Sequence, residues 1–464
     1  MCAPLWERIV RNILEGYIKN KASDFGRQVR IALLGFGKTN KAMLDALLPL
    51  DLVEISVRQS GLNAAILPDQ IRGFTGENAF SNIYEDVIIP SPSVRRESLV
   101  LPGGCEVITD YDLLFRLKPH RLFSVSGSDG KSTVTTLASL LLSPTFPTLF
   151  VGGNIGTPLI LANVDSEAFL LELSSFTLRY SVPKCGRALI TNITPNHLDW
   201  HKDLDEYIDS KLSLIKMSNE PILNISDKVS NDAARDICAF CLVSDRLSHR
   251  EITAKYNTEH TVTVEDGEIL LDGEGLIPIA LIRRQERHNV ENLALAIALS
   301  IGYTSREHIR KVAMSFEGLK ERCERFTVGG VDYVSSSIDT SPVRTKTTLE
   351  GLDRQVNIIL GGRTKRLPLD VLKEPLVKYA ARIAIYGEAS EEFLDFIISY
   401  PELKSIPHSA FPTLSEAIGY ASEGVRCGDT VLLSPAATSY GEFENYIERG
   451  RFFKDYVQKR SPKI

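Results

Sequence analysis

The sequence predicts an α/β protein built from several doubly wound units. Two observations carry this. Short apolar runs of strand length recur along the chain, as in "VRIALLG", "LFSVS", "VNIILGG" and "DTVLLSPAATS", and stretches with helical spacing separate them. Such alternation implies parallel sheets covered by helices on both faces. The length, 464 residues, points to about three domains. The expected divisions are residues 1–117, 118–321 and 322–464.

Composition narrows the function classes. With 43% hydrophobic and 24% charged residues, the chain has the make-up of a soluble globular protein. A net charge of −6 favours neither a nucleic-acid track nor a polybasic membrane surface. No apolar run has the length of a membrane span, and no secretion signal is expected. Of the seven cysteines, only Cys238 and Cys241 form a C-x-x-C, within the apolar "ICAFCLV". A buried strand explains them better than a zinc or redox site. The odd, dispersed set fits a reducing cytoplasm.

In the first segment, Leu5, Ile9, Ile13 and Tyr17 have the spacing of a helix packed on the first domain. "VRIALLGFGKTN" reads as strand, turn and helix start. Gly35 and Gly37 let the backbone approach a phosphate near Lys38 and Thr39. Asn40 replaces the third glycine of the dinucleotide pattern, and the strand "LVEISVRQ" ends on Arg58, not on an acid that would grip a ribose diol. NAD is disfavoured; a nucleotide sugar or NADP remains.

The second segment holds "SVSGSDGKSTVTT" between a strand at 122–126 and a helix. Backbone amides of Gly127, Ser128, Asp129 and Gly130 can cradle phosphates. Lys131 can reach the outer ones, and a hydroxyl of Ser132 or Thr133 can meet Mg²⁺. The loop is shorter than the usual P-loop, with Val125 in place of its first glycine, yet it argues for ATP. "LLELSSF" puts Glu172 at the end of an apolar strand, where a carboxylate is costly unless paired or bound to metal; a metal ligand is favoured. "NITPNHLDWH" carries His197, Asp199 and His201. Zinc lacks a further cluster there, so a Mg²⁺ or phosphate contact suits the loop, and His201 taken alone reads as surface. Lys211 shares a helix face with Tyr207, Ile208, Leu214 and Ile215. Spacing alone favours a snorkelling lysine. The sharper reading is a desolvated lysine of lowered pKa, whose neutral amine can take up CO₂ as a carbamate and become a metal ligand. "TVTVEDGEILLDGEGLIPIALI" predicts antiparallel hairpins. In the third segment, strand ends carry Gly361-Gly362, Gly387 and Ser434-Pro435, where ligands of parallel sheets bind.

Taken together, "GSDGKST", "VGGNIGTP", "LELSSF", "NHLDWH", "ERHNVENLALA", "GLKERCERF", "ILGGRTK" and "LLSPAATSYGEFENYIERGRFF" occur in one order that resembles the Mur ligases of peptidoglycan synthesis. "ELSSF" and the C-terminal stretch point to the branch that adds D-glutamate. The resemblance implies a Rossmann-like N-terminal domain for a UDP-sugar. It implies a central P-loop ATPase domain with a parallel sheet plus a small antiparallel sheet, and a Rossmann-like C-terminal domain. It implies an ATP- and Mg²⁺-dependent ligase that joins D-glutamate to UDP-N-acetylmuramoyl-L-alanine through an acyl phosphate. A cytoplasmic monomer with no nucleic-acid or membrane partner is the expected setting.

By position, Lys131, Ser132 and Thr133 match phosphate and Mg²⁺ contacts, Glu172 and His197 the metal pair, and Lys211 the carbamylated lysine. Asn154, Ser174 and Ser175 fall with the substrate contacts. Asn289 and Asn292 match adenine-side residues, and Arg322 a nucleotide contact. Thr340, Lys365, Ser439, Tyr440 and Tyr446 fall where the amino acid is held. The chain departs from the family pattern D-S-K-A-T-N, which here reads Ser336-Ser337-Ile338-Asp339-Thr340-Ser341. Asn196 stands for an acid, Thr177 for glutamine, and Ser93 for the glycine of S-P-G. Arg344, Lys346 or Arg363 are candidates to replace the missing lysine. The departures leave two alternatives: a ligase for another amino acid or acceptor, and a catalytically impaired homologue that binds UDP-sugar or ATP.

Overall fold

The structure is a computed structural model that describes residues 10–61, 67–92, 94–95, 99–116, 121–155, 158–162, 165–181, 185–197, 200–319, 323–364 and 367–460. The chain divides into two compact units, residues 1–316 and 317–464. The first unit holds two sheets and the second holds one.

The first sheet comprises β1 (Val29–Leu34), β2 (Val53–Arg58), β3 (Arg72–Phe74), β4 (Val87–Pro90) and β5 (Glu106–Val107). It is parallel throughout, in the order β3-β2-β1-β4-β5. β1 is central and almost wholly buried, as an apolar run covered on both faces must be. The N-terminal helix runs Val10–Phe25, further than the predicted stripe, and Leu14, Tyr17 and Ile18 are buried in the core. Leu5 and Ile9 lie outside the described residues.

The second sheet contains β6 (Leu122–Ser126), β7 (Leu149–Gly153), β8 (Ala168–Glu172), β9 (Cys185–Ile190), β10 (Ser218–Asn224), β11 (Ala239–Ser244), β12 (Thr258–Glu265), β13 (Glu268–Leu271) and β14 (Glu274–Pro278). Its order is β14-β13-β12-β11-β10-β9-β6-β8-β7. The hairpins form where predicted. Asp266-Gly267 and Asp272-Gly273 all have positive φ, the conformation tight hairpin turns need. One expectation is corrected: the antiparallel strands are no separate small sheet. β12 pairs in parallel with β11, so the hairpins extend the parallel sheet. Cys241 is buried in β11, and Cys238 is exposed just before it.

The chain order reverses beside β6, which has β9 on one side and β8 on the other. Ligands of open α/β sheets bind in the crevice such a reversal leaves at the carboxyl ends. The glycine loop follows β6 at that point.

The second unit contains β15 (Glu324–Val328), β16 (Val331–Ser335), β17 (Val356–Gly361), β18 (Ala380–Tyr386), β19 (His408–Phe411) and β20 (Thr430–Ala436). The order is β15-β16-β20-β17-β18-β19, parallel except for the β15–β16 hairpin. Between β17 and β18 a 3₁₀ turn, Asp370–Leu372, leads into a helix at Lys373–Tyr379. Aliphatic side chains of the central strands, among them Ile358, Leu360, Ile383, Ile385 and Leu432, fill the core.

Candidate phosphate and cation site

The loop 127–130 leads from β6 into the helix Lys131–Leu142. Gly127 (φ 142°) and Gly130 (φ 80°) adopt conformations that favour glycine. Space demands glycine as well: a Cβ on Gly127 would strike Thr191 Oγ1, and one on Gly130 would strike Asn292 Oδ1. The helix points its N-terminus, with unsatisfied amides and a partial positive charge, at the loop.

The segment after β9 braces the loop from the side. Asn192 O accepts from Ser128 N at 2.8 Å, and Asn192 Oδ1 from Asp129 N at 2.9 Å. Thr191 Oγ1 donates to Asp129 O at 2.6 Å. Ser128 Oγ donates to Thr194 O, accepts from Thr194 N and meets Tyr207 OH. The Ser128 hydroxyl therefore fastens the loop. The sequence reading missed Thr191, Asn192 and Thr194, although "NIT" after a strand end was their signal.

Two lysines converge on one oxygen. Lys131 Nζ donates to Gly127 O at 2.8 Å and to Ser128 O at 2.7 Å. Lys211 Nζ, from the helix Leu204–Lys216, donates to Gly127 O at 2.7 Å. Lys211 is buried, with its ammonium 4.8 Å from the Tyr207 ring centre. Burial, and then the Lys131 charge, hold its pKa well below the ordinary lysine value. The snorkelling favoured by spacing gives way to the desolvated lysine.

Glu172 ends β8, beside Val125 of β6. It is buried. Asn154 Nδ2 donates to its Oε1 at 2.9 Å, while Oε2 has no hydrogen-bond partner among the described residues. A Cβ on Gly153 would collide with Glu172 O, so glycine lets β7 end close to β8. His197 has a positive φ of 56° and packs on Phe176 with ring centres 4.8 Å apart. Asn196 Oδ1 accepts from His197 N and stabilises that turn. Ser132 and Thr133 open the helix. Asn292 abuts Gly130, whereas Asn289 donates to Glu286 Oε2 at the start of its helix. Asn224 links Thr191 O to Glu291 Oε1, a tie that the sequence reading also missed.

Three expectations are corrected, those for Arg58, Ser175 and His201. Arg58 is buried and committed: it pairs with Glu85, donates to the carbonyls of Ala79 and Ser81, and stacks on Phe74, so it holds residues 79–85 and is closed to a ligand. The half-buried Ser174 stays a candidate contact while its Oγ accepts from Thr177 N and caps the helix Ser175–Tyr180. The Ser175 hydroxyl is buried against His201 Nε2 at 2.9 Å. His201 is no surface residue: it is buried among Phe176, Trp200 and Tyr207, with Nδ1 facing Glu206 at 3.3 Å.

In the first sheet, Gly35 (φ 77°) lies against Ser91, and Gly37 begins the helix Lys38–Leu47 with open space above it. Thr39 lines a small cavity with Asn40, Pro90 and Asp110. Asn40 Nδ2 donates to the carbonyls of Leu34, Gly35 and Ile89, tying β1 to β4. In the second unit, Thr340, Ser439, Tyr440 and Tyr446 all follow strand ends or open the last helix, Tyr446–Arg460. Ser439 is buried and Tyr440 exposed. Arg344 Nη1 reaches Ile338 O at 3.2 Å, while Lys346 pairs with Glu350 and Arg363 with Glu388. The Lys38 side chain, Asp199, Arg322 and Lys365 lie outside the described residues.

Residues 125–300 match the family described as the Mur ligase middle domain. The UDP-N-acetylmuramoylalanine–D-glutamate ligase of Clostridium novyi is 30% identical over 460 residues, covering 94% of this chain and 98% of the relative. Among solved structures, the UDP-N-acetylmuramate–alanine ligase of Thermotoga maritima superposes with a TM-score of 0.59 at 16% identity, over 93% of this chain and all of that one. The MurF ligase of Thermotoga maritima in complex with ADP gives 0.50 at 16% identity, over 94% and 96% of the two chains. These two show a shared fold. With 30% identity along nearly its whole length, and a phosphate loop in the region that matches the family's middle domain, the chain belongs to the Mur ligase family.

Proposed function

We infer that this protein is an ATP-dependent ligase that forms an amide between D-glutamate and the L-alanyl carboxylate of UDP-N-acetylmuramoyl-L-alanine, releasing ADP and phosphate. It acts as a cytoplasmic monomer in peptidoglycan precursor synthesis. Among the described residues no helix is long and apolar enough to cross a membrane. The carrying observation is a buried carboxylate oxygen, Glu172 Oε2, that has no hydrogen-bond partner among the described residues and lies at the strand end next to the phosphate loop.

A buried anionic oxygen needs a cation. Glu172, with Ser132 and His197, would hold Mg²⁺, and Lys211 would join them as a carbamate. When bound, Mg²⁺ neutralises charge between the phosphates and the acceptor carboxylate. The protein's own groups do the rest. Amides of residues 127–130 bind phosphate oxygens, and Lys131 exchanges the Gly127 and Ser128 carbonyls for the outer phosphates. Asn154 orients Glu172. A carboxylate oxygen of the acceptor attacks the terminal phosphorus and ADP departs. The amine of D-glutamate then attacks the acyl carbon, loses a proton, and phosphate leaves with the electrons of the broken C–O bond. Thr340, Lys365, Ser439, Tyr440 and Tyr446 are assigned to D-glutamate. Asn289, Asn292 and Arg322 are assigned to the nucleotide, and Gly35, Gly37, Lys38 and Thr39 to the UDP-sugar.

Phosphate release is measured with UDP-N-acetylmuramoyl-L-alanine, ATP and a panel of D- and L-amino acids. D-Glutamate alone is expected to support turnover, and Lys131→Ala to lower it on the order of 10³-fold. Equal turnover with another amino acid would overturn the assignment of substrate. Normal turnover by Lys131→Ala would overturn the assignment of the loop.

A further inference from the structure

One side chain ties the carboxyl ends of three strands of the second unit together and lies close to the end of a fourth. Arg449, in the last helix, is fully buried. Its Nε donates to Ser337 Oγ at 2.9 Å and its Nη2 to Ser337 O at 2.8 Å, both just beyond β16. Nη1 donates to Ala437 O beyond β20 at 3.2 Å, and to Tyr386 OH at the end of β18 at 3.3 Å. A Cβ on Gly362, after β17, would lie 3.2 Å from Nη1. Ser337 Oγ in turn donates to Tyr446 O at 2.8 Å.

Every acceptor of this guanidinium among the described residues is neutral. Among the described residues no carboxylate pairs with it; Glu442, which accepts from Leu414 N, feels its charge only at longer range. A buried cation without a paired anion is costly to keep. Joining neutral carbonyls and hydroxyls does not by itself require a full charge. The segments it joins, 336–340, 437–440 and the start of the last helix, are those that carry Thr340, Ser439, Tyr440 and Tyr446.

We infer that Arg449 is the positioning residue of the amino-acid site, and that its unpaired charge biases that site towards a dianionic substrate. The inference rests on the reading that these strand ends hold D-glutamate. Arg449 itself lies beneath the site and shapes it through Ser337 and Ala437.

The test uses the full chain, with D-glutamate, ATP and UDP-N-acetylmuramoyl-L-alanine each varied in turn while the other two are saturating. Arg449→Met is expected to raise the KM for D-glutamate about 30-fold or more, with kcat and the KM for ATP changed less than about threefold. Arg449→Lys keeps the charge and is expected to recover most of that loss. Competition by glutarate over butyrate, which differ by one carboxylate, is expected to weaken about tenfold in Arg449→Met and to persist in Arg449→Lys. If Arg449→Met fails to fold, Arg449→Lys and Ser337→Ala carry the test. Ser337→Ala removes the Nε acceptor and is expected to raise the D-glutamate KM alone. A folded Arg449→Met with unchanged D-glutamate KM, or Lys and Ala variants that raise all three KM values together, would overturn the inference. Ser439→Ala separates the two levels: if it leaves D-glutamate binding untouched, the placement of the amino acid fails; if it weakens binding while Arg449→Met does not, only the role of Arg449 fails.

Discussion

At the scale of single residues, Lys211 has the most consequential environment. Its ammonium is buried, shares Gly127 O with Lys131 and, among the described residues, has no carboxylate hydrogen-bonded to it. Burial first, and the Lys131 charge second, lower its pKa in the folded protein. The unfolded chain therefore binds more protons than the native one between the lowered value and the ordinary lysine value, and stability rises with pH across that window. Lys211→Met removes the titration. It is expected to be more stable than the parent near neutral pH, with a margin that shrinks by up to about 1.4 kcal/mol per pH unit towards pH 10. Denaturant unfolding of both proteins at several pH values measures this; a margin that is constant with pH would show that Lys211 is charged in the native state. Lys131 and Glu172 were legible because each stands at a fixed offset from a strand, and a glycine loop or an apolar run announces it. Arg58, Ser175 and His201 were misjudged for one shared reason. Sequence gives a polar residue's distance from a strand end, but its partner lies far along the chain. Glu85 decides Arg58 from 27 positions away, and Ser175 decides His201 from 26.

At the scale of elements, the phosphate loop is held by the turn after β9 as well as by its own helix. Asn192 holds Asp129 through both its amide atoms, at 2.9 and 3.3 Å. Asn192→Ala deletes both bonds and leaves the strand pairing intact. A loss of about 1–2 kcal/mol of loop order is expected, felt as a rise of roughly tenfold in the KM for ATP with the KM for D-glutamate unchanged. Steady-state kinetics with each substrate varied in turn checks this, and an unchanged ATP KM would mean the loop holds its shape without the brace. Strands, crossovers and hairpins were legible, since periodicity and Asp-Gly turns are local signals. The continuity of the second sheet was not. It depends on the pairing of β12 with β11 across the helix His249–Lys255, a contact that no window of sequence contains.

At the scale of the whole molecule, charge decides how the nucleotide can enter. The protein is net negative, and Asp129 is exposed on the loop itself. A neutral Lys211 would leave Lys131 as the cation acting directly on the phosphates, while Glu172 Oε2 adds a buried negative charge near them. Nucleotide and site are thus mutually repulsive unless a cation lies between them. Two units with separate cores predict two unfolding steps, and a ligand of the loop should raise the step of residues 1–316. ADP with Mg²⁺ at about 100 times its Kd is expected to stabilise that step by about 2.7 kcal/mol. ADP with a chelator is expected to leave it nearly unmoved. Glu172→Gln removes the buried charge, so its response to ADP should depend far less on the metal. Calorimetry of both proteins, with and without chelator, reads the difference. If the parent responds equally to ADP under both conditions, the vacant oxygen of Glu172 is not a cation ligand, and the case for metal-assisted phosphoryl transfer at this loop loses its structural footing.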